Sequence, residues 1–245
     1  MITHDNHILM MGSCFSTEVG NILAEKGYRV ELNPFGILFN PASAASSLVR
    51  LETGEHFTPE DVIPREGQYV SFFHHGSFRR ETPERFLEDA NAALDRAVAA
   101  FAGADTVILT LGTAWVFRHL ERGCIVTNCH KVPAREFRRE FLNVDETVSL
   151  LEPVIGRHTD KRWIFTVSPI RHMADGAHGN QLSKSTLLLA IDILQKKFPD
   201  TVGYFPAYEI MMDELRDHKW YIDGKNHPTP EAVGIIADRF LSARF

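Results

Sequence analysis

Thr106-Val107-Ile108-Leu109-Thr110-Leu111 is an almost continuously apolar run. A strand of this composition is covered on both faces, which is typical of a parallel sheet, whereas a strand with one face in water alternates apolar and polar residues. Four further runs rich in apolar, β-branched or aromatic residues occur at positions 8–11, 28–32, 162–167 and 202–205. The sequence therefore predicts a five-stranded, mostly parallel sheet.

Helical segments lie between these runs, and several carry clear end signals. Asn40 can cap a helix that has Pro41 at its first position, and Gly27 can close the helix before it. The predicted helices cover 17–26, 41 onward, 83–103, 145–157, 183–198 and 230 onward. Strands that alternate with helices in this way predict a three-layer α/β/α sandwich of the doubly wound type.

Two stretches, 56–80 and 115–139, interrupt the alternation and are rich in aromatic residues, His and Arg. We expect loops or short strands there, lying over one rim of the sheet as insertions. No repeat, low-complexity tract or linker divides the sequence, so residues 1–245 are predicted to form one domain. Aromatic side chains exposed on these stretches would suit a contact within a homo-oligomer.

Composition and charge exclude several classes of protein. The net charge of −6, with Lys and Arg scattered along the chain, argues against a nucleic-acid partner. No apolar stretch approaches the roughly 20 residues that a membrane span needs, and the first residues lack the pattern of a signal peptide. These observations predict a soluble, cytoplasmic protein.

The cysteines indicate free thiols. The chain has only three cysteines, an odd number, which does not suit a disulfide framework: Cys14, Cys124 and Cys129. Cys124 and Cys129 lack the further ligands of a zinc site, and the neighbours His74 and His75 would face opposite ways on a strand. We therefore expect neither a metal nor a cofactor.

A turn that could hold a catalytic nucleophile follows the first predicted strand. Gly12-Ser13-Cys14-Phe15-Ser16 joins the run 8–11 to a helix predicted from Thr17. Backbone N–H groups at the start of a helix point outward without partners and favour negative charge. A nucleophile in this turn would therefore lie beside an oxyanion site.

A partner for such a nucleophile lies near the end of the chain. Residues 221–228 place Asp223 and His227 in one short loop. His227 can be the base that activates Ser13, and Asp223 the acid that orients the imidazole. The alternative interpretation is a common Gly-Ser turn and a histidine that caps the last helix.

Other polar residues follow the ends of the predicted strands, where ligands bind in an open parallel sheet. Gly112 and Thr113 end the central strand and could donate to an oxyanion, although a plain turn is the structural alternative. Arg171 and His172 follow the fourth strand at the same rim, where an ion pair of Arg171 with Asp175 is the alternative to a direct chemical role.

Several separate motifs, taken in order, resemble the GSCFA family, which is related to the SGNH (GDSL-like) hydrolases. The resemblance extends from Ile8 to about Ala237. It rests on Gly12-Ser13-Cys14-Phe15-Ser16, on 33–41, on 74–78, on 128–134, on 168–172 with Asp175, Gly176, Asn180, Ser183 and Lys184, and on His227-Pro228.

The resemblance implies a flavodoxin-like fold and a hydrolase of carboxylic esters, acting on a small molecule or glycan ester or on a lipid ester. Ser13 resembles the nucleophile in the first SGNH block, and His227 resembles the base in the last. Gly36 and Gly112 resemble glycines that line the oxyanion hole. Together they imply a serine esterase in which the Ser13 N–H also holds the oxyanion.

The chain departs from the SGNH pattern at three positions. Ser16 stands where the family name has Ala. Thr113 stands where an SGNH enzyme usually presents Asn, which makes Asn128 a candidate substitute as oxyanion donor. Asp223 precedes His227 by four residues where the SGNH pattern has three, so a dyad with a backbone carbonyl orienting His227 is the alternative to a triad.

The leading interpretation is a serine esterase or acyl-hydrolase with nucleophile Ser13. Its candidate substrate contacts are Arg171, His172, Lys131, His130 and Thr113. A second interpretation makes Cys14 the nucleophile of an acyl transferase or thioesterase, because a helix N-terminus lowers the pKa of a thiol. A third is a non-catalytic module that binds a carbohydrate or a nucleotide on the same fold.

Overall fold

The computed structural model describes residues 1–222 and 226–245. The strands are β1 (His7–Gly12), β2 (Arg29–Leu32), β3 (Ile63–Arg65), β4 (Gln68–Val70), β5 (Thr106–Leu111), β6 (Trp115–His119), β7 (Ile125–Val126), β8 (Phe137–Phe141), β9 (Arg162–Val167) and β10 (Val202–Phe205). The helices are α1 (Cys14–Glu25), α2 (Pro41–Thr53), α3 (Pro83–Gly103), α4 (Val144–Arg157), α5 (Gly176–Lys197), α6 (Ala207–Glu209) and α7 (Pro230–Ser242).

Five strands form the predicted parallel sheet, in the order β10-β9-β5-β1-β2. Successive side chains of a strand point to opposite faces, and β1 shows the consequence. Leu9 and Met11 lie in a core formed with α2 to α5, whereas Ile8 and Met10 lie in a second core formed with α1 and α7. The three-layer α/β/α sandwich is therefore confirmed.

The helix ends follow the local signals of the sequence with two exceptions: α1 begins at Cys14 and not at Thr17, and α5 begins before the predicted Ser183. The Asn40 side chain accepts a hydrogen bond from the Ser43 N–H (2.8 Å) and caps α2, as predicted. Helix α5 begins at Gly176, and the sequence prediction began at Ser183 because the first turns of the helix carry no apolar periodicity. In those turns Asn180 instead accepts a hydrogen bond from the His172 N–H (2.9 Å).

The two stretches that interrupt the alternation contain short antiparallel strands. Strands β3 and β4 form a hairpin in the first, and the second supplies β6 and β7 to a sheet of order β7-β6-β8.

Over residues 1–222 and 226–245, no helix combines the length and the apolar character that a membrane span requires.

Gly12 is required where β1 turns into α1. Its φ is +149°, and a Cβ atom there would lie 2.3 Å from the carbonyl oxygen of Thr110 on the adjacent β5. The Gly12 N–H donates to Asn33 Oδ1 (2.8 Å), and the Gly12 carbonyl accepts from the Leu38 N–H (2.8 Å). These bonds fix the segment 33–38 against the end of β1.

Candidate active site

A cavity of about 850 Å³ opens at the carboxyl ends of β1, β5 and β9, beside the sheet that contains β6. Polar side chains in its wall include Cys14, Asn40, His75, Thr113, Asn128, Arg139, Arg171, His172, Asp175, Asn226 and His227. Apolar side chains include Ile37, Phe39, Trp115, Phe117, Val126, Ile170 and Met173. The position agrees with the rule that ligands of parallel sheets bind beyond the strand ends.

Cys14 and His227 face each other in this cavity. The Sγ atom of Cys14 lies 3.7 Å from Nε2 of His227. Cys14 is the first residue of α1, and His227 lies just before α7, which packs beside α1 in the same core. Two loop hydrogen bonds position the histidine: the Ile222 N–H donates to the His227 carbonyl (2.8 Å), and the Arg171 N–H donates to the Asn226 carbonyl (2.9 Å).

Ser13, the nucleophile that the sequence favours, has a different environment. It is only 2% exposed, and its Oγ atom has no hydrogen-bond partner in the part of the chain that the structure describes. Ser13 has extended backbone geometry at the N-cap and is buried, while Cys14 begins the helix and contacts His227. The geometry therefore favours Cys14 over Ser13. Asp223, the predicted acid, lies outside the described residues.

The Cys14 thiol does not have the lowered pKa that its place at a helix start predicts. Burial is the largest influence and raises its pKa, and the nearby Glu18 carboxylate raises it further. The backbone N–H groups at Cys14 and Phe15 favour the thiolate and act in the opposite direction, but burial and Glu18 outweigh them. The thiol therefore keeps its proton at neutral pH and needs a base to remove it.

Glu18 is an acidic neighbour of the pair that the sequence analysis missed. It lies one helical turn after Cys14 on the same face of α1, because residues four apart are neighbours on a helix. Its Oε2 atom is buried without a hydrogen-bond partner among the described residues. Burial raises the pKa of Glu18, while the nearby His227 favours its charged form.

The backbone groups predicted as oxyanion donors are already engaged. The Gly36 N–H donates to the Asn33 carbonyl (2.7 Å), the Gly112 N–H to the Phe39 carbonyl (2.8 Å), and the Ser13 N–H to the Thr110 carbonyl (3.3 Å). Gly36 instead allows a left-handed backbone and close packing against His75: its φ is +77°, and a Cβ atom there would lie 2.4 Å from the Cβ of His75. In this structure all three N–H groups are therefore paired with carbonyls, and their role as oxyanion donors stays a prediction.

Other N–H groups are available instead. Cys14 occupies the first position of α1, where a backbone N–H has no acceptor within the helix. Asn128 lines the cavity, and its side-chain oxygen accepts from the His130 N–H (2.8 Å), which leaves the amide NH₂ for other contacts. Thr113 also lines the cavity, but its Oγ1 bonds to Ser183 Oγ (3.1 Å) and accepts from the Trp115 N–H (3.1 Å).

Two of the predicted substrate contacts lie away from the cavity wall. His130 is buried, and its Nε2 bonds to the Ser71 carbonyl (2.7 Å). The ammonium of Lys131 is exposed and lies 3.8 Å from the Glu66 carboxylate. Neither belongs to the described residues that line the cavity, so their predicted role as substrate contacts is not supported by the geometry.

Arg171 and His172 do line the cavity. Burial lowers the pKa of His172 to about 4, with the Lys184 ammonium contributing, so this ring is neutral at physiological pH. Arg171 lies over the ring of Tyr221, 5.6 Å from its centroid. Its predicted alternative partner, Asp175, pairs with Arg139 instead.

Lys184 is a buried amine beneath the site. Its Nζ donates to the carbonyls of Gly112 and Ser168, both at 2.7 Å, and so joins the ends of β5 and β9. Complete burial lowers its pKa to about 7, while the nearby Cys14 acts to raise it. The sequence singled out Lys184 only as part of the family resemblance and gave no signal that it joins two strand ends.

Comparison with known proteins gives a family match over most of the chain. The model of the GSCFA family matches residues 7–240. A solved structure provisionally described as a platelet activating factor from Streptococcus pneumonia has 11% sequence identity to this chain, covering 96% of this chain and 84% of its own, with a TM-score of 0.43. No curated protein matches the chain.

Proposed function

Because the chain belongs to the GSCFA family and holds a thiol beside an imidazole in a cavity, we propose that it is a cysteine-dependent acyl hydrolase. The 3.7 Å separation of Cys14 Sγ from His227 Nε2 carries the proposal. Covalent acyl transfer requires a nucleophile and a base within contact distance of each other. Relation to the SGNH hydrolases is part of the proposal.

The reaction begins with the neutral thiol. His227 Nε2 accepts the proton of Cys14 as Sγ attacks the carbonyl carbon of an ester or thioester. The carbonyl oxygen becomes an oxyanion, which the Cys14 N–H stabilises at the start of α1. When the tetrahedral intermediate collapses, the alcohol or thiol leaves with the proton from His227, and the acyl group remains on Cys14 as a thioester.

Water completes the cycle. His227 removes a proton from a water molecule that attacks the thioester carbonyl, the carboxylic acid is released, and the proton returns to Sγ. If another alcohol takes the place of water, the same steps transfer the acyl group. The Glu18 carboxylate lies near the imidazolium that exists between proton transfers, and the two opposite charges attract each other.

The cavity wall supports a substrate with an apolar part. The aromatic side chains of Trp115, Phe117 and Phe39 line it, and so does Arg171. Such a wall suits an acyl or aryl group held against the aromatic rings and a polar or anionic group near the guanidinium. A small-molecule, glycan or lipid ester or thioester is the substrate class that we propose.

The test uses p-nitrophenyl acetate, a short activated ester, with wild type, Cys14→Ala and Ser13→Ala. Cys14→Ala should lose the release of p-nitrophenolate and the acetyl adduct seen by mass spectrometry. Ser13→Ala should keep most of both, since it removes a buried hydroxyl that makes no hydrogen bond to the described residues. Loss of activity in Ser13→Ala with an unchanged fold, and retention in Cys14→Ala, would restore the serine mechanism.

A further inference from the structure

Asn40 presents an unused amide donor to the proposed active site. It is only 6% exposed and lines the cavity together with Cys14 and His227. Its Oδ1 is occupied as the cap of α2, where it accepts the Ser43 N–H at 2.8 Å. Within residues 1–222 and 226–245, its Nδ2 has no acceptor. An amide with one end fixed and the other facing a cavity is preorganised to bind an oxygen atom.

The backbone on either side holds Asn40 near the nucleophile. The carbonyl of Phe39, the preceding residue, accepts the N–H groups of both Gly112 (2.8 Å) and Thr113 (2.9 Å) at the end of β5. Two residues before Asn40, the Leu38 N–H donates to the Gly12 carbonyl (2.8 Å) at the end of β1. Asn40 is therefore fixed where the adjacent strands β1 and β5 end, beside the turn that carries Cys14.

Asn128, the amide that the sequence analysis favoured, is held by different elements. Its backbone N–H and that of Thr127 approach the Phe72 carbonyl (3.4 and 2.8 Å), so it follows β7 in the outer sheet. Asn40 is instead attached to the central sheet at the two strand ends that flank Cys14. The central position makes Asn40 the better placed of the two amides.

We infer that Asn40 donates a side-chain hydrogen bond to the oxyanion formed on the carbonyl that Cys14 attacks. The inference rests on the proposed function. With the Cys14 N–H, it supplies a second donor to replace the engaged N–H groups of Gly36 and Gly112. Loss of one such donor lowers the rate by about 10²–10³.

Two substitutions of Asn40 remove its NH₂ donor and keep an oxygen that can cap α2. Asn40→Ser and Asn40→Asp both retain a side-chain oxygen suited to the N-cap, but neither has an NH₂ group. Asn143 caps α4 in the same way, accepting the Glu146 N–H at 2.9 Å, and does not line the cavity. Asn143→Ser is therefore the matched control for replacing a capping asparagine.

Two rates of modification of Cys14 are compared under single-turnover conditions by mass spectrometry. Acetylation by p-nitrophenyl acetate passes through an oxyanion, whereas alkylation by iodoacetamide does not. Asn40→Ser should acetylate about 10²–10³ times more slowly than wild type, while alkylation changes less than about threefold. Asn40→Asp should be at least as slow, since its negative charge repels the oxyanion. Asn143→Ser should match wild type in both reactions.

The possible outcomes separate the role of Asn40 from the thiol mechanism. Equal acetylation of wild type and Asn40→Ser overturns the role of Asn40 and leaves the thiol mechanism intact. A selective loss in Asn128→Ser, with Asn40→Ser unaffected, also overturns that role and assigns the oxyanion to Asn128. A wild-type protein that is alkylated at Cys14 but never acetylated there overturns the proposed function and this inference with it.

Discussion

The Sγ atom of Cys14 and the Nε2 atom of His227 lie 3.7 Å apart, although 213 positions separate the two residues in the chain. The packing of α1 against α7 on one face of the sheet brings them together. Adjacent Ser13 does not share this contact, because its hydroxyl is buried at the N-cap. The chemistry of the site thus depends on which of two neighbouring side chains faces the cavity.

The first prediction concerns the titration of Cys14. Burial and the Glu18 carboxylate raise its pKa above the ordinary value of 9.0, so the thiolate fraction increases only at alkaline pH. In a Cys124→Ser, Cys129→Ser background, the rate of alkylation by iodoacetamide should rise with a midpoint above that value. A midpoint below it would show a pre-formed thiolate–imidazolium pair and contradict the assignment.

The second prediction isolates the contribution of Glu18. Glu18→Gln removes the negative charge that raises the pKa of Cys14, so alkylation at pH 8 should become faster by about two- to tenfold. Glu25→Gln changes an exposed carboxylate at the end of the same helix and serves as the control. Equal acceleration in both variants would indicate a general effect of net charge.

The third prediction is a pH-dependent stability that originates in Lys184. Its pKa is about 7 in the folded protein and about 10.5 when it is solvated, so between these values the unfolded chain binds a proton that the folded chain lacks. Stability must then increase with pH across this window, by up to about 1.4 kcal/mol for each pKa unit. Below pH 7 the full penalty of burying the charge is present.

Urea unfolding of wild type and Lys184→Met at pH 7, 8 and 9 measures this contribution. The free energy of unfolding of wild type should rise relative to that of the variant, whatever the offset from the lost hydrogen bonds to Gly112 and Ser168. Lys196→Met removes an exposed ammonium from the same helix. Its free energy of unfolding should depend on pH in the same way as that of wild type. Parallel curves for Lys184→Met as well would disprove the assignment.

The fourth prediction concerns the turn that carries Cys14. Gly12→Ala forces a Cβ against the Thr110 carbonyl at a φ of +149°, and it should lower the free energy of unfolding by at least about 2 kcal/mol. Gly103→Ala at the end of α3, where a Cβ meets no atom within 4 Å, should leave stability unchanged or slightly higher. Thermal melts of the two variants give the comparison, and similar melting temperatures would contradict it.

The sequence alone determined the sheet, because its signals are local. The continuous apolar run of β5 required cover on both faces, and Asn40 with Pro41 marked the start of α2 through a bond that spans three residues. The first turns of α5 were missed because they pack little apolar surface and instead hold the loop at His172.

The sequence also indicated that the turn after β1 and the loop before α7 carry the chemistry, but only the tertiary structure assigned the roles. Two adjacent residues with nucleophilic side chains cannot be ranked from their order, since the backbone torsions at the helix start decide which one faces His227. The engagement of Gly36 and Gly112 by carbonyls of neighbouring loops, and the unused amide of Asn40, depend on how separate segments meet at the strand ends. Such contacts leave no periodic pattern in the sequence, and so they emerge only once the chain has folded.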